Sequence, residues 1–313
     1  MASKRTQNIV AEGRFTLPLL AVLCGVLWIW FGLLTQQLWI QTAFVTISTL
    51  LMVTLNNSNS LIRIYSRMVS SSFLLLTTMA MIRYTSVRGC TLQMCLIAFY
   101  MCIFRTYQNR KSSGWMYYAF LCLSMASLVF VKVLYLVPVV WLLCTLKFYS
   151  LNVKTFVASL LGLFTPYWFI LPWLIMREEF YRISTHFSPL WQFSPLCDIS
   201  RLSMRELITF ALILILALTG TIHYVRTGYN DKIRTRMLYS FFITICWATI
   251  IFLVLQPLHY NELIPMIIVS VSPLIAHFLA LTHTWFTNLA FWLFFLAIST
   301  LTVLNICNPS LIF

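Results

Sequence analysis

Residues 207–225 read LITFALILILALTGTIHYV, and residues 263–282 read LIPMIIVSVSPLIAHFLALT. Neither stretch contains Asp, Glu, Lys or Arg. Each has the ~20 residues that a helix needs to cross a hydrocarbon core. Backbone groups cannot go unpaired in lipid, and alternating barrel-type segments are absent, so helices are the form such runs take.

Working outward, the same signal recurs along the chain. Candidate spans are 17–34, 38–55, 69–82, 90–104, 115–131, 133–146, 155–176, 207–225, 238–255, 263–282 and 286–304. Three are short (69–82, 90–104 and 133–146), so the expected count is eleven, with nine or ten as alternatives. The fold class is therefore all-α, a polytopic transmembrane helical bundle, with residues 1–313 forming one integral membrane domain. Composition agrees: 61% of the 313 residues are apolar, 9% are charged, and mean hydropathy is +0.89. Soluble domains carry about 45–50% apolar and about 25% charged residues. A soluble enzyme, a disordered chain and a disulfide scaffold are excluded. The nine cysteines lie mostly inside apolar runs and read as packing residues. The basic head MASKRTQ leads into a long apolar run without a small-residue cleavage site, which reads as a retained first span.

The net charge of +14 has a membrane explanation, because basic residues flank spans on the cytoplasmic side. With the N-terminus cytoplasmic, fourteen Lys and Arg fall on inner segments. Seven fall outside: Arg83, Arg88, Lys132, Arg177, Arg182, Arg201 and Arg205. That asymmetry sets the expected orientation and argues against nucleic acid as a partner. The long connection is 177–206, an outer loop mixing Phe180, Phe187, Trp191 and Phe193 with charges and prolines. Its composition suits an interfacial segment lying on the bundle.

Ionisable residues beside spans are the default functional candidates in a membrane protein. The seven outer cations are the candidate substrate-binding set, since converging arginines grip phosphate through paired donors. The alternative for each is a snorkelling anchor. Acid–base candidates are Glu178, Glu179, Asp198, His259 and Glu262; no catalytic residue is assigned among them. His259 and Glu262, three apart in QPLHYNE (256–262), can share a helix face as base and orienting partner, or simply form a capped turn. His277 stands alone mid-span and reads as a hydrogen-bonded bundle histidine. The inner stretches LNNSNSLIRIYSR (55–67) and RTGYNDKIRTR (226–236) read as a capping run and topology anchors, the first with anionic head-group binding as its alternative. The five histidines show no metal-ligand spacing, so neither metal nor cofactor is expected.

Two stretches carry a resemblance. NSLIRIYSRMVSSSFLLLTTMAMI (59–82) resembles a helix of the GT-C superfamily of membrane glycosyltransferases. So does the run 123–175, where Lys132 precedes a helix with Pro138, a basic turn holds Lys147 and Lys154, and a long helix carries Pro166 and Pro172. The whole chain is similar to a group of multi-pass inner-membrane proteins of Bacteroidetes. The resemblance implies a bacterial inner-membrane protein of cell-envelope glycan assembly, handling a lipid-linked, polyprenyl-phosphate type substrate at the outer leaflet. GT-C enzymes place a catalytic acid in a large first outer loop. Here that connection is Thr35, Gln36 and Gln37, so no catalytic residue carries over. Membrane lipids and other membrane proteins are the expected partners. The alternatives are a non-catalytic subunit of an envelope complex and a lipid transporter.

Overall fold

A computed structural model of the chain describes residues 5–31, 33–34, 37–80, 86–179, 181–193 and 202–307. Among the described residues every regular element is helical. The α-helices are α1 (Thr6–Glu12), α2 (Thr16–Phe31), α3 (Trp39–Asn59), α4 (Met68–Met79), α5 (Val87–Ile103), α6 (Ser113–Val129) and α7 (Leu136–Leu146). They continue with α8 (Val153–Met176), α9 (Tyr181–Phe187), α10 (Met204–Thr227), α11 (Ile233–Leu255), α12 (Tyr260–Leu281) and α13 (Trp285–Cys307). Each expected span overlaps one helix. The two additions are α1, which meets α2 at a 93° bend, and α9 in the long outer loop.

Seven helices are long and apolar enough to cross a membrane: α3, α5, α8, α10, α11, α12 and α13; the bent α1–α2 pair makes an eighth if it is one span. The segment expected at 90–104 is longer than its apolar run suggests, because the helix starts at Val87 and a 3-10 turn carries it to Thr106. In contrast, α4 has 12 residues and α7 has 11. At 1.5 Å per residue these reach about 18 Å, against about 30 Å of hydrocarbon. Of the two, α4 is enclosed, with every residue but Leu75 buried, whereas α7 exposes Leu142 and Leu146.

The centre of the bundle is α12, whose apolar window is 94% buried. It packs against α4, α5, α10, α11 and α1. Its sequence is apolar all round, as a buried helix requires, and is broken by Pro265 and Pro273. Small hydroxyl side chains supply the contacts: Ser72 Oγ donates to the Ser272 carbonyl at 3.0 Å, and the Tyr100 hydroxyl meets Ser270 Oγ at 2.8 Å. Gly220 of α10 sits so close that a Cβ there would lie 2.9 Å from the Leu274 carbonyl carbon. Small residues at helix contacts are the usual device where no hydrophobic effect drives helix association.

A second tight pair is α6 with α8. A Cβ on Gly162 would lie 2.5 Å from the Tyr117 carbonyl oxygen. Ser124 Oγ donates to the Leu163 carbonyl at 2.6 Å, and Ser127 meets the Tyr167 hydroxyl at 2.7 Å. Away from that contact α8 exposes Phe164 and Trp168, and nearer its end Phe169, a surface suited to acyl chains rather than water.

Connections sort to two ends. At one end Arg5 reaches the His283 carbonyl, Arg234 donates to Asn59 Oδ1 at 3.1 Å, and Asn152 Nδ2 donates to the Arg110 carbonyl at 2.8 Å. At the other, 130–135, 188–193 and 256–259 come together. The first set joins connections expected on the inner side, the second those expected outside.

Candidate functional site

Lys132 lies where α6 has to stop and α7 begin. Phe130 is extended (φ −142, ψ 95), and residues Val131–Tyr135 form a 3-10 turn running into α7. Pro138 lacks an N–H and is tolerated in the first turn of a helix, where donors are unpaired anyway. This geometry turns Lys132 inward: it is only 3% exposed. Opposite it, Gln256 ends α11 and the turn Pro257–His259 leads into α12.

The Lys132 ammonium donates to His259 Nε2 at 2.9 Å and to the Gln192 carbonyl at 3.0 Å. An ammonium has donors only, so the imidazole accepts at Nε2 and carries its proton on Nδ1. Phe193 faces the same ammonium at 5.5 Å and stacks against Tyr135 at 6.3 Å. The Tyr135 hydroxyl donates to the Leu190 carbonyl. Residues 190–193 therefore form a strap across the turn. Beneath it is a pocket of about 350 Å³ whose walls include Phe130, Val133, Leu136, Phe252, Leu263 and Met266, with Lys132 at the polar edge.

Among the described residues, the ion pairs present are Glu179 with Arg182 and His277 with Asp231. No described carboxylate reaches Lys132. An ammonium held by a carbonyl and a neutral imidazole has no counter-charge beside it among the described residues and one unused donor. An anion at the pocket mouth would meet both.

The other candidates are placed less centrally. Arg88, exposed in the first turn of α5, is the cation whose charge reaches Glu262 at the start of α12. His259 turns to Lys132 rather than to Glu262. Arg177 ends α8 with its guanidinium 4.3 Å over the Trp173 ring, and Glu178 is exposed with φ 57. Glu179 and Arg182 pair at 2.8 Å on the rim. Arg205 lies in the first turn of α10. Next to it, Glu206 accepts from the Ser203 backbone N–H and hydroxyl as half of a capping box. Arg83, Asp198 and Arg201 lie outside the described residues. Of the described candidates, two pairs are brought into direct contact, Lys132 with His259 and Glu179 with Arg182, and the first of these is the buried one.

The opposite end holds a pairing that the sequence reading did not make. His277 Nε2 donates to Asp231 Oδ2 at 2.8 Å, both side chains being under 5% exposed. The His277 ring is enclosed by His223, Tyr224 and Tyr239, with centroids 5.0–5.4 Å away. The available signal was an imbalance: on the inner segments the acids are Glu12 and Asp231, and a histidine inside a span requires a partner.

Comparison with protein-family models, curated proteins and solved structures gave no match to this chain.

Proposed function

We propose that the chain is a multi-pass protein of the bacterial inner membrane that binds a lipid with an anionic, phosphate-type head group at its outer end. The polyprenyl-phosphate class used in envelope glycan assembly is the substrate class proposed. The topology proposed with it has eleven inserted helices and a cytoplasmic N-terminus. It is supported by one helix per expected span, by the sorting of connections to two ends, and by fourteen inner against seven outer basic residues.

The observation that carries the binding reading is the Lys132 ammonium, 3% exposed and with neutral partners, at the rim of an apolar pocket. A head group would take the remaining donor of Lys132, and the first carbons of its chain would fill the pocket between Phe130, Leu136 and Phe252. The strap at 190–193 would then cover the junction of head and tail. His259 has its Nε2 lone pair engaged by Lys132, so this arrangement serves binding better than proton abstraction.

Native mass spectrometry on protein extracted from membranes tests the proposal. The expected result is a retained phosphate-bearing lipid that is lost from Lys132→Met. Retention of the same lipid by that variant, or bulk phospholipid only in both, would overturn it.

A further inference from the structure

At the end opposite Lys132 the chain builds a second cleft, of about 440 Å³, between residues 56–66 and 230–235. Ser60 stops α3 with a left-handed backbone (φ 49), turning the chain back along the mouth of the cleft. Arg234 donates to Asn59 Oδ1 and ties the two walls together. The lining includes Asn56, Asn57, Arg63, Asn230, Asp231 and Lys232, making it far more polar than the outer pocket.

The hydrogen-bonding needs of these residues define a ligand. Asn56 is 8% exposed and spends its amide N–H on the Ser66 carbonyl at 3.0 Å, while its Oδ1 has no partner. A buried amide oxygen needs a donor. Asp231 adds a carboxylate to the same lining, fixed from behind by His277. A phosphate monoester, mostly dianionic at neutral pH, offers almost only acceptors and serves these two poorly, whereas hydroxyl groups donate to both. Conversely, Arg63 and Lys232 are exposed donors in the same cleft with no carboxylate bonded to them among the described residues. They match phosphate oxygens. The volume is in the range of small-molecule sites, roughly 300–1,000 Å³.

We infer that this cleft is a second binding site, independent of the outer pocket, for a polyol phosphate. Asn56 and Asp231 accept hydroxyl groups, and Arg63 and Lys232 hold the phosphate. Two sources share that chemistry, a soluble sugar or glycerol phosphate and the head group of a glycerophospholipid.

The full chain in phosphatidylcholine nanodiscs would be titrated with glucose 1-phosphate, glycerol 3-phosphate and inorganic phosphate. A parallel arm replaces part of the phosphatidylcholine with phosphatidylglycerol and asks whether that lipid is enriched around the protein by native mass spectrometry. Saturable binding of a polyol phosphate at least about tenfold tighter than inorganic phosphate is expected in the soluble arm if the source is soluble, and selective retention of phosphatidylglycerol if it is lipid. Arg63→Gln, a change at an exposed position, should weaken the positive arm about tenfold or more. Asn56→Ala should remove the preference over inorganic phosphate, and Lys132→Met should leave this site unchanged. Absence of binding in both arms, or binding unaffected by Arg63→Gln, would overturn the inference. Loss on Lys132→Met would instead assign the signal to the outer pocket and also overturn it.

Discussion

Replacing Lys132 by Met keeps the unbranched stem and removes the charge, which separates two roles for a buried cation. In the unliganded protein the ammonium makes two hydrogen bonds, at 2.9 and 3.0 Å. Each charge-assisted bond is worth about 1.5–3 kcal/mol. Against them stands the desolvation of an ion, several kcal/mol after relaxation. The two nearly cancel. The acceptors left behind are the His259 nitrogen and the carbonyl of Gln192, an exposed residue in the strap that water can serve. Lys132→Met should therefore change stability by about 1 kcal/mol or less, a few degrees in Tm.

Affinity for an anionic amphiphile should respond differently. Losing one charge-assisted bond to the head group, about 1.5–3 kcal/mol, raises Kd by about tenfold to about 150-fold. The assay pairs a thermal melt in detergent with titration of a short-chain phosphate-bearing amphiphile. If Lys132→Met instead lowers Tm by more than about 10 °C while Kd stays constant, the lysine is a post for the 190–193 strap, and the argument from its unmatched charge is wrong.

Four other outcomes follow from the geometry. Gly162→Val should force α8 away from α6, since even a Cβ would meet the Tyr117 carbonyl oxygen at 2.5 Å; overpacking of about 1–3 kcal/mol or more should appear as reduced expression and a lower Tm. His277→Phe strands a buried carboxylate and should cost about 3–5 kcal/mol in reversible unfolding, whereas Asp231→Asn leaves a neutral pair and should cost less. His186, outside the candidate spans, has its pKa lowered by burial. Its packing near Tyr167, 3.4 Å away, is thus fully present above the usual imidazole pKa of about 6.5 and is lost as pH falls below it. The protection factors of α9 amides, with the intrinsic pH dependence of exchange divided out, should fall on acidification, and His186→Gln should flatten that response. Finally, a cysteine at Gln192 should react with an impermeant maleimide on intact spheroplasts while one at Lys111 stays silent until lysis; the reverse pattern would invert the proposed topology.

How much of this was legible beforehand depended on the range of the interaction. Helices set by unbroken apolar runs were read directly, because a buried or lipid-facing helix writes its requirement locally. Two contacts short in sequence, Glu179 with Arg182 at i, i+3 and Arg177 over Trp173 at i, i+4, are local in the same sense. Of the two helices beyond the expected spans, α1 depends on a distant partner. Its Gln7 is 1% exposed and donates to the Leu279 carbonyl and Thr282, 272 and 275 positions away.

The same reasoning explains why closeness in sequence does not find the partner of His259, which ends the turn leading into α12. Spacing of three joined it to Glu262, but its partner is Lys132, 127 positions earlier. Asp231 and His277 are 46 apart and were read as two unrelated features. In a chain with so few charges, each buried polar group is costly unless paired. The informative question is therefore which polar groups at each end lack a local partner. At the inner end that question leads from His277 to Asp231, and at the outer end, among the described residues, it leaves Lys132 with neutral neighbours. A pairing met inside the chain explains the first. One still unmet, beside an apolar cavity, is what makes the second a place for a ligand.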